Sequence, residues 1–258
     1  MIDRTFALLG TAALAAALVI LWMARLSVPY DVYVSQLGAP GMPTARIFEV
    51  VLLLIACGGA LIAWAGRRIR SRARVLRWWL PSVSLAAASA FFLVDSQVTC
   101  TAGCPLPVGA TFVWQDFVHT LAAVLAFAAA SWAIMQCAFA VGHPALARFS
   151  GAAAIAVAAA SSAGGLMSLF RFQSALGSRF ELLATTIGLA WIVVFGVTLV
   201  VGSRGRASAT HGQQQLIGEV DEPVDLVVVP VDPARLGLGA DRHERVVLLP
   251  DDESAVGT

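Results

Sequence analysis

The chain has little charge and no lysine. Only 13% of its 258 residues are charged, against roughly 25% in an ordinary soluble domain. Its 17 basic residues are all arginines, and 59% of the chain is hydrophobic. That balance excludes a conventional soluble globule. Missing too are a phosphate-cradling glycine loop and any nucleic-acid-binding motif. The apolar segments lack the apolar/polar alternation of barrel strands. Histidine is scarce: His119, His143, His211 and His243 are the full set.

What is present is a series of six long apolar stretches, at about 6–26, 44–66, 79–99, 115–139, 151–170 and 182–202. A hydrocarbon core of about 30 Å takes roughly 20 residues per helical crossing. Backbone groups in lipid must bond within their own segment. The expectation is an all-α membrane protein, a six-transmembrane-helix bundle over 1–201 with a disordered C-terminal tail over 202–258. The first stretch exceeds the 7–15 apolar residues of a signal peptide. Trp22-Met23-Ala24-Arg25-Leu26 is a poor cleavage site, so a retained helix is expected.

Arginine placement orients the bundle. Arg67, Arg68, Arg70, Arg72, Arg74 and Arg77 crowd the connection between the second and third stretches. No basic residue lies between Ser27 and Pro43 or between Asp95 and Asp116. By the positive-inside rule the arginine loop is cytoplasmic, and with six crossings both termini are too. Arg25, Arg46, Arg171 and Arg179 fall on the other side, and Arg148 alone marks the second inner loop. Six arginines in one short loop outweigh them, giving a multi-pass inner-membrane protein. Trp64, Trp78 and Trp79 fall where indoles favour the interface. The same loop could attract anionic lipid headgroups, at about 1 kcal/mol per arginine. A topology signal explains it without that.

Residues 1–201 carry a net charge of +6, and 202–258, with ten acids and five arginines, carry −5. The tail's composition reads as mostly disordered. Two apolar runs, Leu226–Val229 and Val246–Leu249, are each followed by proline. They fit a segment that orders on a cytoplasmic protein partner, and fit a passive tail equally.

Cys100 and Cys104 flank Thr101-Ala102-Gly103 in an outer loop, where a disulfide can persist and the turn brings the Cβ atoms together. A small loop-closing disulfide is expected. No metal is expected, because a paired-cysteine zinc motif needs two more ligands and none is near in sequence. Cys57 and Cys137 read as buried small hydrophobes.

Ionisable groups near the membrane are costly and tend to face a bundle interior. Arg46 and Glu49 are three apart, as are Asp116 and His119, so each pair shares a helical face. With Ser35, Gln36, Asp95, Arg179 and Glu181 they concentrate on the outer side, as a candidate outward-facing polar pocket. In one reading Asp116 orients His119, which acts as a base or as a metal ligand with Asp95 or Glu49. In the other, the pairs satisfy each other and pin helix ends. The fifth stretch, rich in Ala, Ser and Gly, is expected at the bundle centre, where small residues allow close approach.

Tyr33-Val34-Ser35-Gln36-Leu37-Gly38, followed by Pro43, Ala45 and Phe48, resembles the opening motif of a bacterial membrane family known as domain of unknown function 998. Asp116 and His119 before Leu121-Ala122-Ala123 are similar to its acid and histidine entering the fourth helix. Gly177, Arg179 and Glu181 correspond to a third element before the last helix. The resemblance covers about residues 6–201, with a more distant likeness to the DRAM and Sfk membrane proteins. It implies the fold and no activity.

The leading expectation is non-catalytic binding or sensing of a lipid or small amphiphile at the outer pocket, with no cofactor and with membrane lipids as partners. The alternative is an intramembrane metal-dependent hydrolase using His119 and nearby carboxylates, similar to seven-helix ceramidase-like proteins. A single histidine near the cluster weighs against it, since catalytic zinc normally takes three protein ligands. A transporter would show internal repeats or broken helices, which are not seen. Six helices could still be doubled in a homo-oligomer.

Overall fold

A computed structural model describes residues 2–220 apart from 106, 108, 110, 111 and 171, with side chains described as far as 202, Arg77 excepted. The chain divides into two units, Met1–His211 and Gly212–Thr258. The fold that follows is that of the first.

Among the described residues there are six long helices: α1 (Ile2–Leu26), α2 (Ala45–Ala65), α3 (Pro81–Gln97), α4 (Trp114–Cys137), α5 (Pro144–Leu169) and α6 (Ser174–Val220), the last running past the end of the first unit. Five are long and apolar enough to cross a membrane. The exception is α3, whose 17 residues span about 26 Å at the helical rise. Proline starts it at Pro81, where the missing N–H costs nothing. From sequence the last crossing ends near 202, whereas the helix continues to Val220. The rest of the expected tail, 221–258 with its two apolar runs, lies outside the described residues, as does Arg171.

Consecutive helices pack on one another from α1 to α5. Along α1 the buried residues are Ala7, Gly10, Leu14, Ala17, Leu21 and Ala24. That three-four spacing is a coiled-coil-like seam, and it lies against α2. A Cβ on Gly10 would stand 2.8 Å from the Gly58 carbonyl oxygen, so the backbones meet as small residues allow in lipid.

Of the five apolar helices α2 is the most buried and α6 the next, so α5 is not the centre expected from its small residues. Trp191 and Phe195 of α6 stack at 5.4 Å and are almost wholly buried. The Trp191 indole donates to Ser150 Oγ of α5 at 2.9 Å. Only one stripe of α5 is buried (Leu146, Ser150, Ala153, Val157, Ala160 and Gly164), and it is the least buried of the five apolar helices. Of its other alanines, Ala145, Ala152, Ala158 and Ala159 are exposed. Small residues permit close packing but do not by themselves provide a partner on every side.

At one end of the bundle, Arg67 grips Asp3 of α1 through two contacts of 2.7 and 3.1 Å. An isolated antiparallel bridge joins Ser71 to Ala140. Buried Gln136 accepts from Ser84 Oγ and donates to the Leu76 and Trp79 carbonyls. The connections 66–80 and 138–143 therefore lie together. The opposite end gathers the connections 27–44 and 98–113 and the start of α6 (through Val34–Glu181 and Gln36–Gly103), and it is the end that matters below.

Candidate functional site

The loop between α3 and α4 is built around Cys100 and Cys104. The Cys104 N–H donates to the Thr101 carbonyl at 2.9 Å, closing a tight turn. Gly103 sits at φ +81° inside it, a left-handed conformation glycine adopts without strain. The turn brings the two Cα atoms to 5.1 Å, and the cysteines form the expected disulfide.

Asp116 serves this loop rather than His119. It is fully buried in the first turn of α4, where the helix dipole favours a negative charge. Its two oxygens accept from the Thr101 N–H at 2.6 Å and the Thr101 hydroxyl at 2.7 Å.

The partner of His119 comes from α3. Nδ1 of His119 lies 2.7 Å from Oδ1 of Asp95 and 2.9 Å from the Val98 carbonyl oxygen. Both neighbours are acceptors, so the proton belongs on Nδ1, and the N–H is aligned with Val98. Nε2 is buried without a hydrogen-bond partner, in a residue only 4% exposed. The pairing of Asp116 with His119 expected from their spacing is thus replaced. Sharing a helical face brings two side chains near each other, but Asp116 bonds to Thr101, and His119 bonds to the Val98 carbonyl with Asp95 beside it.

Glu181, in the second turn of α6, crosses to the first outer connection. Its Oε2 accepts from the Val34 N–H at 2.7 Å. Ser35 and Gln36 open a single 3-10 turn, Ser35–Gly38. The Gln36 amide receives the Tyr33 N–H and donates to the Gly103 carbonyl, so it ties the first connection to the cysteine turn.

Arg46 is exposed and Glu49 half-buried. Among the described residues no ion pair joins them. The inward face of α2 is instead Phe48, Val51, Leu52 and Ile55. Arg179 turns outward to Asp31 at 3.2 Å, an aspartate also held by Arg25 at 3.0 Å.

Between the helices lies a cavity of about 100 Å³. Most of its wall is apolar, including Leu14, Phe48, Leu52, Phe92, Phe127 and Trp191. Ser35, Asp95 and Glu181 line its end nearest the cysteine loop, and Ser89, Ser131 and Thr185 add hydroxyls deeper in. Of the nine pocket residues expected from sequence, Ser35, Asp95 and Glu181 reach this cavity. Asp116 and His119 are buried behind Asp95, Gln36 braces the loop, and Arg46, Glu49 and Arg179 stand apart. Missed from sequence were Val98, which acts through its backbone, and Thr101, an unremarkable loop threonine until Asp116 meets it. The aromatic wall carried no distinguishing signal, because apolar residues fill every span.

Residues 7–198 match the model of a family described as protein of unknown function, DUF998. The match does not extend the likeness to DRAM or Sfk proteins. No curated protein and no solved structure matches the chain.

Proposed function

The chain belongs to the DUF998 family, whose function is unknown, and from that premise we propose a six-span membrane protein that binds a small amphiphile in its internal cavity. One observation carries the reading. An apolar cavity of about 100 Å³ ends in Ser35 and two carboxylates, Asp95 and Glu181. An engineered apolar cavity of roughly 150 Å³ takes up benzene, so this one suits a short alkyl chain or the end of a longer one. The polar end favours a head that donates hydrogen bonds, such as an amine or alcohol. An anionic head would meet like charge.

Crossing by α3 as well as by the five longer helices makes the sixth span. Support comes from the alternation of ends: connections 66–80 and 138–143 meet at one end, and 27–44 and 98–113 at the other. The arginine loop is then cytoplasmic in a bacterial inner membrane. The Asp3–Arg67 contact, at the end that holds the arginine loop, supports an N-terminus on that side, and six crossings would return the chain there. A cytoplasmic protein partner for the acidic tail remains part of the proposal.

Native mass spectrometry of the detergent-purified protein tests the binding. Gly188 lines the cavity, and a Cβ there would meet nothing within 4 Å. Gly188→Leu therefore fills the cavity without a clash at its first atom. The wild type should retain a bound small amphiphile that Gly188→Leu lacks. Equal occupancy in the two proteins would refute the cavity as the site. Hydrolysis gains no comparable support, since Asp95 occupies the Nδ1 side of His119 and Asp116 is committed to Thr101.

A further inference from the structure

The sulfurs of Cys100 and Cys104 and a ring nitrogen of His119 all lie within 4.8 Å of one another. We propose that reduction of the disulfide turns these three residues into a zinc-binding site. Two thiolates and an imidazole form a set that zinc takes with a fourth position open. Hard cations such as Mg²⁺ and Ca²⁺ prefer oxygen ligands. Tetrahedral zinc holds such donors about 3.5–3.8 Å apart by its bond lengths, so opening the disulfide asks for only a small rearrangement.

His119 is already prepared as a ligand. Metal-binding histidines usually direct the other ring nitrogen at a carboxylate or carbonyl, which fixes the tautomer. Here Asp95 and the Val98 carbonyl both stand at Nδ1. The ring atom left to bind is Nε2, which is buried and unpartnered. An unsatisfied buried polar atom costs about 1–3 kcal/mol, and coordination removes that cost. On the other side the Ser35 carbonyl oxygen lies 3.8 Å from the Cys104 sulfur and 4.0 Å from that of Cys100.

The redox step needs an external dithiol. Its thiolate attacks the Cys104 sulfur, the more accessible of the two, and the Cys100 thiolate leaves. The second thiol of the reductant then displaces Cys104, so the reductant departs as a disulfide and the protein holds two thiols. Binding Zn²⁺ releases both thiol protons. While oxidised, the sulfurs are bonded to each other and the site is closed.

The test is zinc content after reduction with dithiothreitol, anaerobic desalting, exposure to Zn²⁺ and a second desalting. The reduced full-length protein should hold one zinc per chain more than the oxidised protein. Cys57→Ser and Cys137→Ser should keep that difference, whereas Cys104→Ser and His119→Ala should lose it. Asp95→Asn should weaken zinc binding about 10–100-fold, as loss of a supporting carboxylate does elsewhere. Reduced and oxidised wild type with equal zinc would overturn the proposal, and this comparison needs no variant to fold. Full zinc in monodisperse His119→Ala would overturn it as well. These readouts are independent of what the cavity holds.

Discussion

Asp95 of α3 and His119 of α4 meet at 2.7 Å, both almost wholly buried. The contact joins two helices across the loop that carries the disulfide. It also places one carboxylate between the cavity and a histidine whose far nitrogen is free.

That geometry fixes a tautomer. Nitrogen-15 spectra of the oxidised protein, labelled at histidine, should show His119 with its proton on Nδ1. In Asp95→Leu the Val98 carbonyl still accepts from Nδ1, so the same tautomer should persist. A wild-type His119 protonated only on Nε2 would contradict the assigned partners.

Asp116 is a structural carboxylate. Asp116→Ala leaves the Thr101 N–H without its acceptor and should cost about 1–3 kcal/mol. Glu49→Ala, removing a group with no ion-pair partner among the described residues, should stay within about 0.5 kcal/mol. Denaturant unfolding in one detergent measures both. Equal losses would mean that Asp116 does not anchor the loop.

Packing of α1 on α2 depends on Gly10. Gly10→Ala sets a methyl 2.8 Å from the Gly58 oxygen, and such overpacking costs about 1–3 kcal/mol. Gly165 on α5 has nothing within 4 Å of its Cβ position. Gly165→Ala should therefore be neutral or stabilising by up to about 1 kcal/mol through helix propensity. Thermal shift assays distinguish the pair.

Orientation can be read with an impermeant maleimide applied to intact spheroplasts, on a background with Cys57 and Cys137 replaced by serine and Cys100 and Cys104 by alanine. A cysteine at Ala102→Cys should label from outside, and one at Arg74→Cys should label only after lysis. The reverse pattern would invert the topology. Labelling of both from outside would place an even number of crossings between them and so contradict a membrane-spanning α3.

The helices and their order were legible in the sequence because hydrocarbon thickness sets a length that composition reveals. Pro81 and Pro144 mark two helix starts, and the Cys100–Cys104 turn announces its own disulfide. Partner choice was less legible. Asp116 and His119 are neighbours on one helix, yet each takes a partner from another part of the chain. The deep burial of one face of α6 was hidden as well. Trp191 and Phe195 are two aromatics among many: a spacing of four lets them stack on one helix, but nothing in it marks that face as buried. The cavity is likewise a property of imperfect filling, which no local pattern records.

Trp191 lines the cavity and supplies the most direct probe of its occupancy. A brominated alkylamine titrated into the protein in nanodiscs should quench tryptophan fluorescence saturably, since bromine quenches at contact range. Trp191→Phe should abolish most of that saturable quenching, and so should Gly188→Leu. Quenching that is unsaturable, or unchanged in both variants, would show the amphiphile dissolving in lipid rather than entering the bundle, and would contradict the proposed binding site.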